Sequence, residues 1–446
     1  MKKIEIKPTF LKKLFFEMEK QNIKYCVVRG FSDRGEKIIG RDVDILIEEK
    51  DTKKIRKILK ELLLSFAFDV YFNKKAGSDQ YFLLLKEESE YKFLILDFLR
   101  GLQWRGIPII PLRKIFRNLE KPEFFFVPKP QEKAFIDWIF PFITGGEFKK
   151  KYHAEVISAS QGKRFIMYLE ELFGKKTAEE ILSFIQKGNF QKAKTLRFKA
   201  RRKLLLKAAT RPQLVKNIIL NLLLTFKEKL KPKGIWIAIL GPDGSGKSTI
   251  SLTLTKKLER SIFPQVRTFH WRPSILPSLS KIFTGKDSGA IPDNIKKPHG
   301  IKPAGIISSF LRLLYYSSDF FLGYFLKVRR KLYEGNLVIF DRYFHDFMVD
   351  PQRAKISIPW TIPFIISKII PHPDIIFCLL TDPEIIYNRK KELSENEIEK
   401  MIKKYEKMCK KFEYCVKIDA KENPERITQT IESMILKKWK KRLKKL

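Results

Sequence analysis

Between residues 9 and 20 the apolar positions Phe10, Leu11, Leu14, Phe15 and Met18 recur near a 3.6-residue period, which predicts an amphipathic helix. Tyr25–Val28, Val43–Ile47, Tyr81–Leu85 and Phe93–Phe98 are apolar runs of strand length, and residues 52–64 return to helical spacing. From about 119 to 228 the period is largely helical, with no acid between Lys187 and Lys216. The segment 229–234, with Pro232 and Gly234, breaks that pattern. Ile235–Leu240 is then a fully apolar strand, followed by a helix-like stretch at 250–258 and apolar strands at Asn336–Phe340 and Ile375–Leu380. The predicted organisation is an α+β domain at 1–118, a helical connector at 119–230, and an α/β domain at 231–446. Alternating strand and helix signals in the last of these predict a parallel sheet flanked by helices.

Charge alters this picture more than size does. The 446 residues carry a net charge of +40, which favours polyanionic partners such as nucleotides, nucleic acid or anionic lipid. The cysteines Cys26, Cys378, Cys409 and Cys415 stand in no disulfide-framework or zinc-ligand spacing, in keeping with a reducing cytoplasm. The first residues lack the apolar core of a signal peptide, and no uncharged apolar run reaches ~18 residues. At the C-terminus Leu436, Trp439, Leu443 and Leu446 fall on one face of an expected helix in which seven of eleven residues are basic. Such a helix suits either an anionic membrane surface or packing through its apolar stripe. The basic run 197–207 suits phosphate backbones, but no nucleic-acid-binding motif accompanies it. The histidines His153, His270, His299, His345 and His372 are too scattered for a metal site, and a homo-oligomer stays open.

The strongest chemical signal is Gly241-Pro-Asp-Gly-Ser-Gly-Lys-Ser-Thr249, which fits GxxxxGK[ST] directly after an apolar strand. Gly241, Gly244 and Gly246 let the backbone amides around Asp243, Ser245 and Thr249 turn toward phosphate oxygens. Lys247 is expected to reach the outer phosphates of ATP, and the Ser248 hydroxyl to ligate Mg²⁺. Asp341-Arg342-Tyr343 ends a later strand, where a carboxylate can make a second Mg²⁺ contact and an arginine can neutralise phosphate. His372-Pro373-Asp374, Asp382-Pro383-Glu384 and Arg389 follow at the next strand.

With these motifs in place, residues 233–420 resemble the thymidylate kinase family. The resemblance implies that Asp243 faces the acceptor, that Arg272 and Arg342 bind its phosphate, and that Arg389 on a lid stabilises the phosphoryl group in flight. Arg272 is followed by Pro273-Ser274-Ile275 where the family has an acidic-proline-glycine turn. Tyr315–Phe321 lacks the family's base-holding arginine, and His345–Arg353 replaces its usual segment after the DRY motif. Phosphate-binding residues are kept while acceptor-binding ones are rewritten, so an acceptor other than thymidylate is expected. This pattern is similar to the thymidylate-kinase-like proteins associated with surface-polysaccharide genes.

A second constellation lies near the N-terminus. Asp42 and Asp44 alternate along one strand and therefore share a face, and Asp97 sits in the apolar run Phe93–Leu99. A buried carboxylate needs a compensating cation, so the three are candidate Mg²⁺ ligands. Gly30, then Asp42-x-Asp44, then the distant Asp97 resemble the nucleotidyltransferase fold, with Arg29-Gly30-Phe31 standing where that fold usually has Gly-Ser or Gly-Gly. The alternative is a structural role in which Asp97 pairs with Arg41 or Arg100.

Together these readings point to an ATP- and Mg²⁺-dependent phosphotransferase acting on a nucleoside monophosphate or phosphorylated sugar, fused to a nucleotidyltransferase-like domain. Two alternatives remain open: a kinase and nucleotidyltransferase acting on nucleic-acid ends, and a non-catalytic nucleotide-binding scaffold at a membrane surface.

Overall fold

The computed structural model describes residues 8–30, 42–63, 65–66, 68–87, 90–230, 232–259, 261–277, 279 and 305–446. Phe31, Arg41 and His299 lie outside the described residues. The chain divides into two compact units, Met1–Leu230 with Leu443–Leu446, and Lys231–Arg442.

In the first unit, α1 (Pro8–Lys20) buries Phe10, Leu11, Leu14, Phe15 and Met18, the stripe its spacing predicts. The strands are β1 (Tyr25–Arg29), β2 (Asp42–Ile47), β3 (Asp69–Lys74), β4 (Ser78–Glu87) and β5 (Glu90–Leu99), with α2 (Thr52–Leu63) between β2 and β3. They lie in the order β1-β2-β5-β4-β3; β2 and β5 are parallel and the other pairs are antiparallel. β1 and β2 are buried on both faces. Tyr25, Val27, Ile45 and Ile47 join a core with α1 and α2, while Cys26, Val28 and Leu46 join a second core with the helices after residue 130. Period-two alternation makes that division, because successive side chains point to opposite faces. The second core is aromatic: α3 (Pro130–Thr144) packs Phe135 edge-on to Phe165 of α4 (Lys163–Phe173). A hairpin at Leu102–Trp104 and Ile107–Ile110, which the sequence pattern did not predict, adds Trp104, Ile107 and Ile109 to it.

The second unit is a five-stranded sheet of β6 (Ile235–Leu240), β7 (Val266–His270), β8 (Leu337–Asp341), β9 (Ile375–Leu380) and β10 (Cys415–Asp419). Every pair is parallel, in the order β7-β8-β6-β9-β10. β6 and β9 are buried at every residue, as strands covered by helices on both faces must be. The principal helices are α5 (Lys247–Leu258), α6 (Ile306–Gly323), α7 (Pro383–Arg389), α8 (Glu395–Lys411) and α9 (Pro424–Lys440).

The C-terminal segment departs from the helix expected through residue 446. α9 ends at Lys440, and Leu436 and Trp439 are buried in the second unit, with Trp439 edge-on to Phe263. The next residues leave the helix as the Arg442 guanidinium turns to the carbonyls of Pro232 and Gly234 and to Asp374. Lys444 and Lys445 then form β11, antiparallel to β3, and Leu446 packs on the first unit's core. The apolar stripe is spent on packing in two places. No helix among the described residues is long and apolar enough to cross a membrane.

Candidate functional site

The phosphate-loop signature forms a turn at the C-terminal edge of β6. Gly241, Gly244 and Gly246 have φ of 147°, 87° and 90°, a region that favours glycine. At Gly241 the constraint is also steric, since a Cβ there would lie 2.4 Å from the Leu379 carbonyl oxygen on β9. Gly246 caps α5, so the first amides of that helix face a cavity of about 580 Å³. Its lining includes Asp243 to Ile250, Asp341, Arg342, Arg353, Arg389 and Lys390, with Pro424 and Ile427 on an apolar side.

Lys247 is buried at the cavity wall, where its ammonium donates to the Pro242 carbonyl at 2.7 Å and lies 3.5 Å from Asp243. Burial, then the nearby Arg342 charge, pull its pKa down to about 8. The Ser248 hydroxyl donates to Asp341 Oδ2 at 3.1 Å. Asp341 Oδ1 is buried without a hydrogen-bond partner, and His270 Nδ1 lies 3.7 Å from Oδ2. A hydroxyl beside a carboxylate with one unused buried oxygen is a donor set that fits Mg²⁺. Burial alone would raise the Asp341 pKa, but His270 and Lys247 outweigh it and hold the carboxyl below its usual range.

Asp243 is the negative centre of the site. It pairs with Arg342, Arg353, Lys247 and, at 3.7 Å, Lys390. Burial raises its pKa, yet these cations overcome that penalty and hold it far below the carboxylate range. Arg342 has φ +74°, donates its amide to the Ile239 carbonyl at 3.0 Å, and also pairs with buried Asp346 at 3.2 Å. Asp346 Oδ1 in turn accepts from Tyr405 at 2.9 Å. Arg389 is exposed on α7 and reaches the Gly244 carbonyl at 3.4 Å.

The structure therefore brings the phosphate loop, Lys247, Ser248, Asp341, Arg342 and Arg389 to one cavity. Arg272 is not in its lining. Its guanidinium is buried, donating to the Leu276 carbonyl at 3.1 Å and to Asp319 at 3.2 Å. Asp319, itself fully buried, also accepts the amides of Ser274, Ile275 and Leu276, so the pair holds the turn after β7. Sequence reasoning assigned no role to Arg353 or Lys390. The signal for Arg353 was its place in the segment that departs from the family after Asp341–Tyr343.

In the first unit β2 and β5 are paired so that Asp44 lies directly beside Asp97, and Asp42 beside Ile95. Gly30 (φ +116°) packs against this strand, where a Cβ would meet the Asp42 carbonyl at 2.7 Å. Burial, then Asp42 and Asp97, push the Asp44 carboxyl up to about 7. Asp97 Oδ2 accepts from Lys75 at 3.2 Å and Gln80 at 3.5 Å, while its Oδ1 is buried without a partner. Arg100, the expected alternative partner, instead pairs with Asp79 at 2.5 Å, and Arg29 pairs with Asp137 at 3.2 Å. The three aspartates share a face, but their oxygens are not drawn into a cluster as tight as 4.8 Å; among the described residues that closeness belongs to Cys378, Cys409 and Cys415.

The chain is similar to the crystal structure of a thymidylate kinase from Ehrlichia chaffeensis, at 18% identity and a TM-score of 0.33. That likeness covers 46% of this chain and 100% of the kinase. No protein-family model matches the chain, and no curated protein matches it.

Proposed function

We propose that the second unit is an ATP-dependent phosphotransferase whose acceptor itself carries a phosphate or another anionic group. The observation that carries this reading is the pairing within one cavity of the Lys247 loop with the Ser248–Asp341 pair, whose second carboxylate oxygen is unused. The loop amides and Lys247 hold the outer phosphates of ATP, and Ser248 and Asp341 hold Mg²⁺. Mg²⁺, when bound, neutralises charge on the transferring phosphoryl group. Arg389 and Lys390, at the rim, supply further positive charge to the phosphoryl oxygens. Asp243 keeps Arg342 and Arg353 aligned toward the cavity, where either can take an anionic acceptor. The residues that differ from the thymidylate kinase pattern, at 315–321 and 345–353, make thymidylate a poor acceptor.

The test is a panel of acceptors with labelled ATP: dTMP, other nucleoside monophosphates, sugar phosphates and oligonucleotides. Transfer to one small phosphorylated acceptor, abolished in Lys247→Ala, supports the reading. ATP binding without transfer to any of them favours a nucleotide-binding scaffold.

For the first unit we propose a divalent-cation site on the face shared by Asp42, Asp44 and Asp97, within a nucleotidyltransferase-like domain. The side-by-side register of Asp44 and Asp97 and the unused Asp97 Oδ1 favour it. Lys75 occupies the other oxygen and must give way for a cation to take both.

A further inference from the structure

Three of the four cysteines meet inside the second unit although 31 and 6 residues separate them in sequence order. Cys378 lies in the middle of β9, and Cys415 opens β10. β9 and β10 run parallel with Ile376 opposite Cys415, so Cys378, two residues after Ile376, projects to the same face as Cys415. α8 covers that face with Tyr405 and Met408, and places Cys409 beside the pair from its last turn. Cys409 Sγ is 2.7 Å from Cys415 Sγ, and Cys378 Sγ is 3.4 Å from Cys415 Sγ. All three sulfurs lie within 4.8 Å of one another. Cys378 is fully buried and Cys415 nearly so, while Cys409 is partly open to solvent.

We propose that Cys378, Cys409 and Cys415 form a binding site for one soft, thiophilic metal ion, Cu(I), held by three sulfurs. Metal–thiolate bonds of about 2.3 Å place three trigonal ligands about 4 Å apart, which these sulfurs reach when Cys409 moves outward and the Cys378–Cys415 pair opens slightly from 3.4 Å. Thiolate ligands select soft d¹⁰ ions. Zinc takes four ligands in its structural sites, and among the described residues no fourth histidine, cysteine or carboxylate joins this group. Monovalent copper is satisfied by three. Binding needs no electron transfer: the ion enters as Cu(I), and each coordinating thiol gives up its proton to solvent. The site also has a structural consequence. Cys378 pairs in register with Leu240, the residue before the phosphate loop, so the ion would tie β9, β10 and α8 together beneath that loop.

The test uses the full-length chain, reduced and oxygen-free, titrated with Cu(I) against a competing chelator and separately with Zn²⁺. One equivalent of Cu(I) is expected, with thiolate-to-copper charge-transfer absorption. Cys409→Ser should weaken binding by at least about 100-fold, the upper range for losing even an outer-shell partner, and Cys26→Ser should leave it unchanged. In the wild-type chain, which avoids any folding defect of a variant, one Cu(I) should protect the Cys409 and Cys415 peptides from alkylation. Absence of stoichiometric binding, equal loss in Cys26→Ser, preference for Zn²⁺, or a Cys409–Cys415 disulfide in place of metal binding would each overturn the assignment. Failure of phosphoryl transfer in the acceptor panel leaves this result untouched, because the readout is metal binding.

Discussion

The two carboxylate sites differ in how their charges are balanced. In the second unit one aspartate, Asp243, is surrounded by Arg342, Arg353, Lys247 and Lys390, and three of these cations are shared with further acids, Asp346, Asp350 and Glu392. In the first unit three aspartates share a face with Lys75 on one oxygen of Asp97, and Asp44 answers by holding its proton up to about neutral pH. One arrangement is a network in which each cation is shared between carboxylates, and the other is a row of carboxylates with one lysine. Both contain aspartates in strand-associated motifs, so residue type alone does not separate them; the number of opposite charges brought in from other segments does.

The largest effect expected from breaking this contrast is at Lys247. Removing its ammonium with Lys247→Ala leaves phosphoryl oxygens without their nearest fixed cation and should lower kcat by about 10³-fold, roughly 4 kcal/mol of transition-state stabilisation. Asp341→Asn should act mainly on the Mg²⁺ dependence, because its unused oxygen is the proposed metal contact. Steady-state kinetics over a Mg²⁺ series separates the two. An unchanged kcat in Lys247→Ala would remove the anion site from the mechanism.

The next effect is on stability. Arg272 and Asp319 are both buried, and Asp319 also anchors three amides of the turn after β7. Arg272→Ala should cost about 3 kcal/mol, because it leaves a buried carboxylate with no cation. The denaturation midpoint should fall while KM for the acceptor stays near the wild-type value. A raised acceptor KM with unchanged stability would instead place Arg272 in acceptor binding, as the family resemblance implies.

Which parts were legible in the sequence follows from how far apart the cooperating residues lie. The phosphate loop is contiguous, so its strand, its glycines and Lys247 could be read directly. That Asp42 and Asp44 share a face could be read because period two fixes which way strand residues point, whereas the meeting of Asp44 with Asp97 depends on the register of β2 against β5. Lys75 and Gln80 could not, since their approach to Asp97 depends on β3 and β4 closing beside β5. Arg353 comes to Asp243 across 110 residues, and Cys378, Cys409 and Cys415 meet only because β9 and β10 are paired under α8. The C-terminal stripe was visible, but its period cannot say that the helix stops at Lys440 and that Lys444 joins a sheet.

The cation side of the comparison is sharpened by a melt. Mn²⁺ at about 100 times its Kd should stabilise the first unit by about 2.7 kcal/mol. Replacing Asp42 and Asp44 together with Asn should abolish that shift and, by relieving like-charge repulsion, leave the metal-free domain at least as stable. A full-length chain with no Mn²⁺-dependent shift, with or without ATP, would reduce the face to a structural arrangement of carboxylates.

The smallest effect checks that mild acid acts on the second unit through its core and not through its charged cavity. His345 is fully buried, its Nε2 lies 3.1 Å from the Tyr414 hydroxyl, and the rings of Tyr343, Phe412 and Tyr414 pack around it. Burial, then the charge of His372, push its pKa down to about 3. The unfolded chain takes up a proton near pH 6.5 that the folded one refuses, so stability is full above that pH and falls as pH drops toward 3. Between pH 6.5 and 5 the loss should be about 2 kcal/mol. Asp243 does not contribute in that window, because its depressed pKa matters only where unfolded carboxylates protonate, near pH 4. Urea melts of wild type and His345→Phe at pH 7, 6 and 5 decide the point. The variant should start lower, for want of the Tyr414 contact, and lose less on acidification. If both lose the same amount, the acid sensitivity does not come from burial of His345.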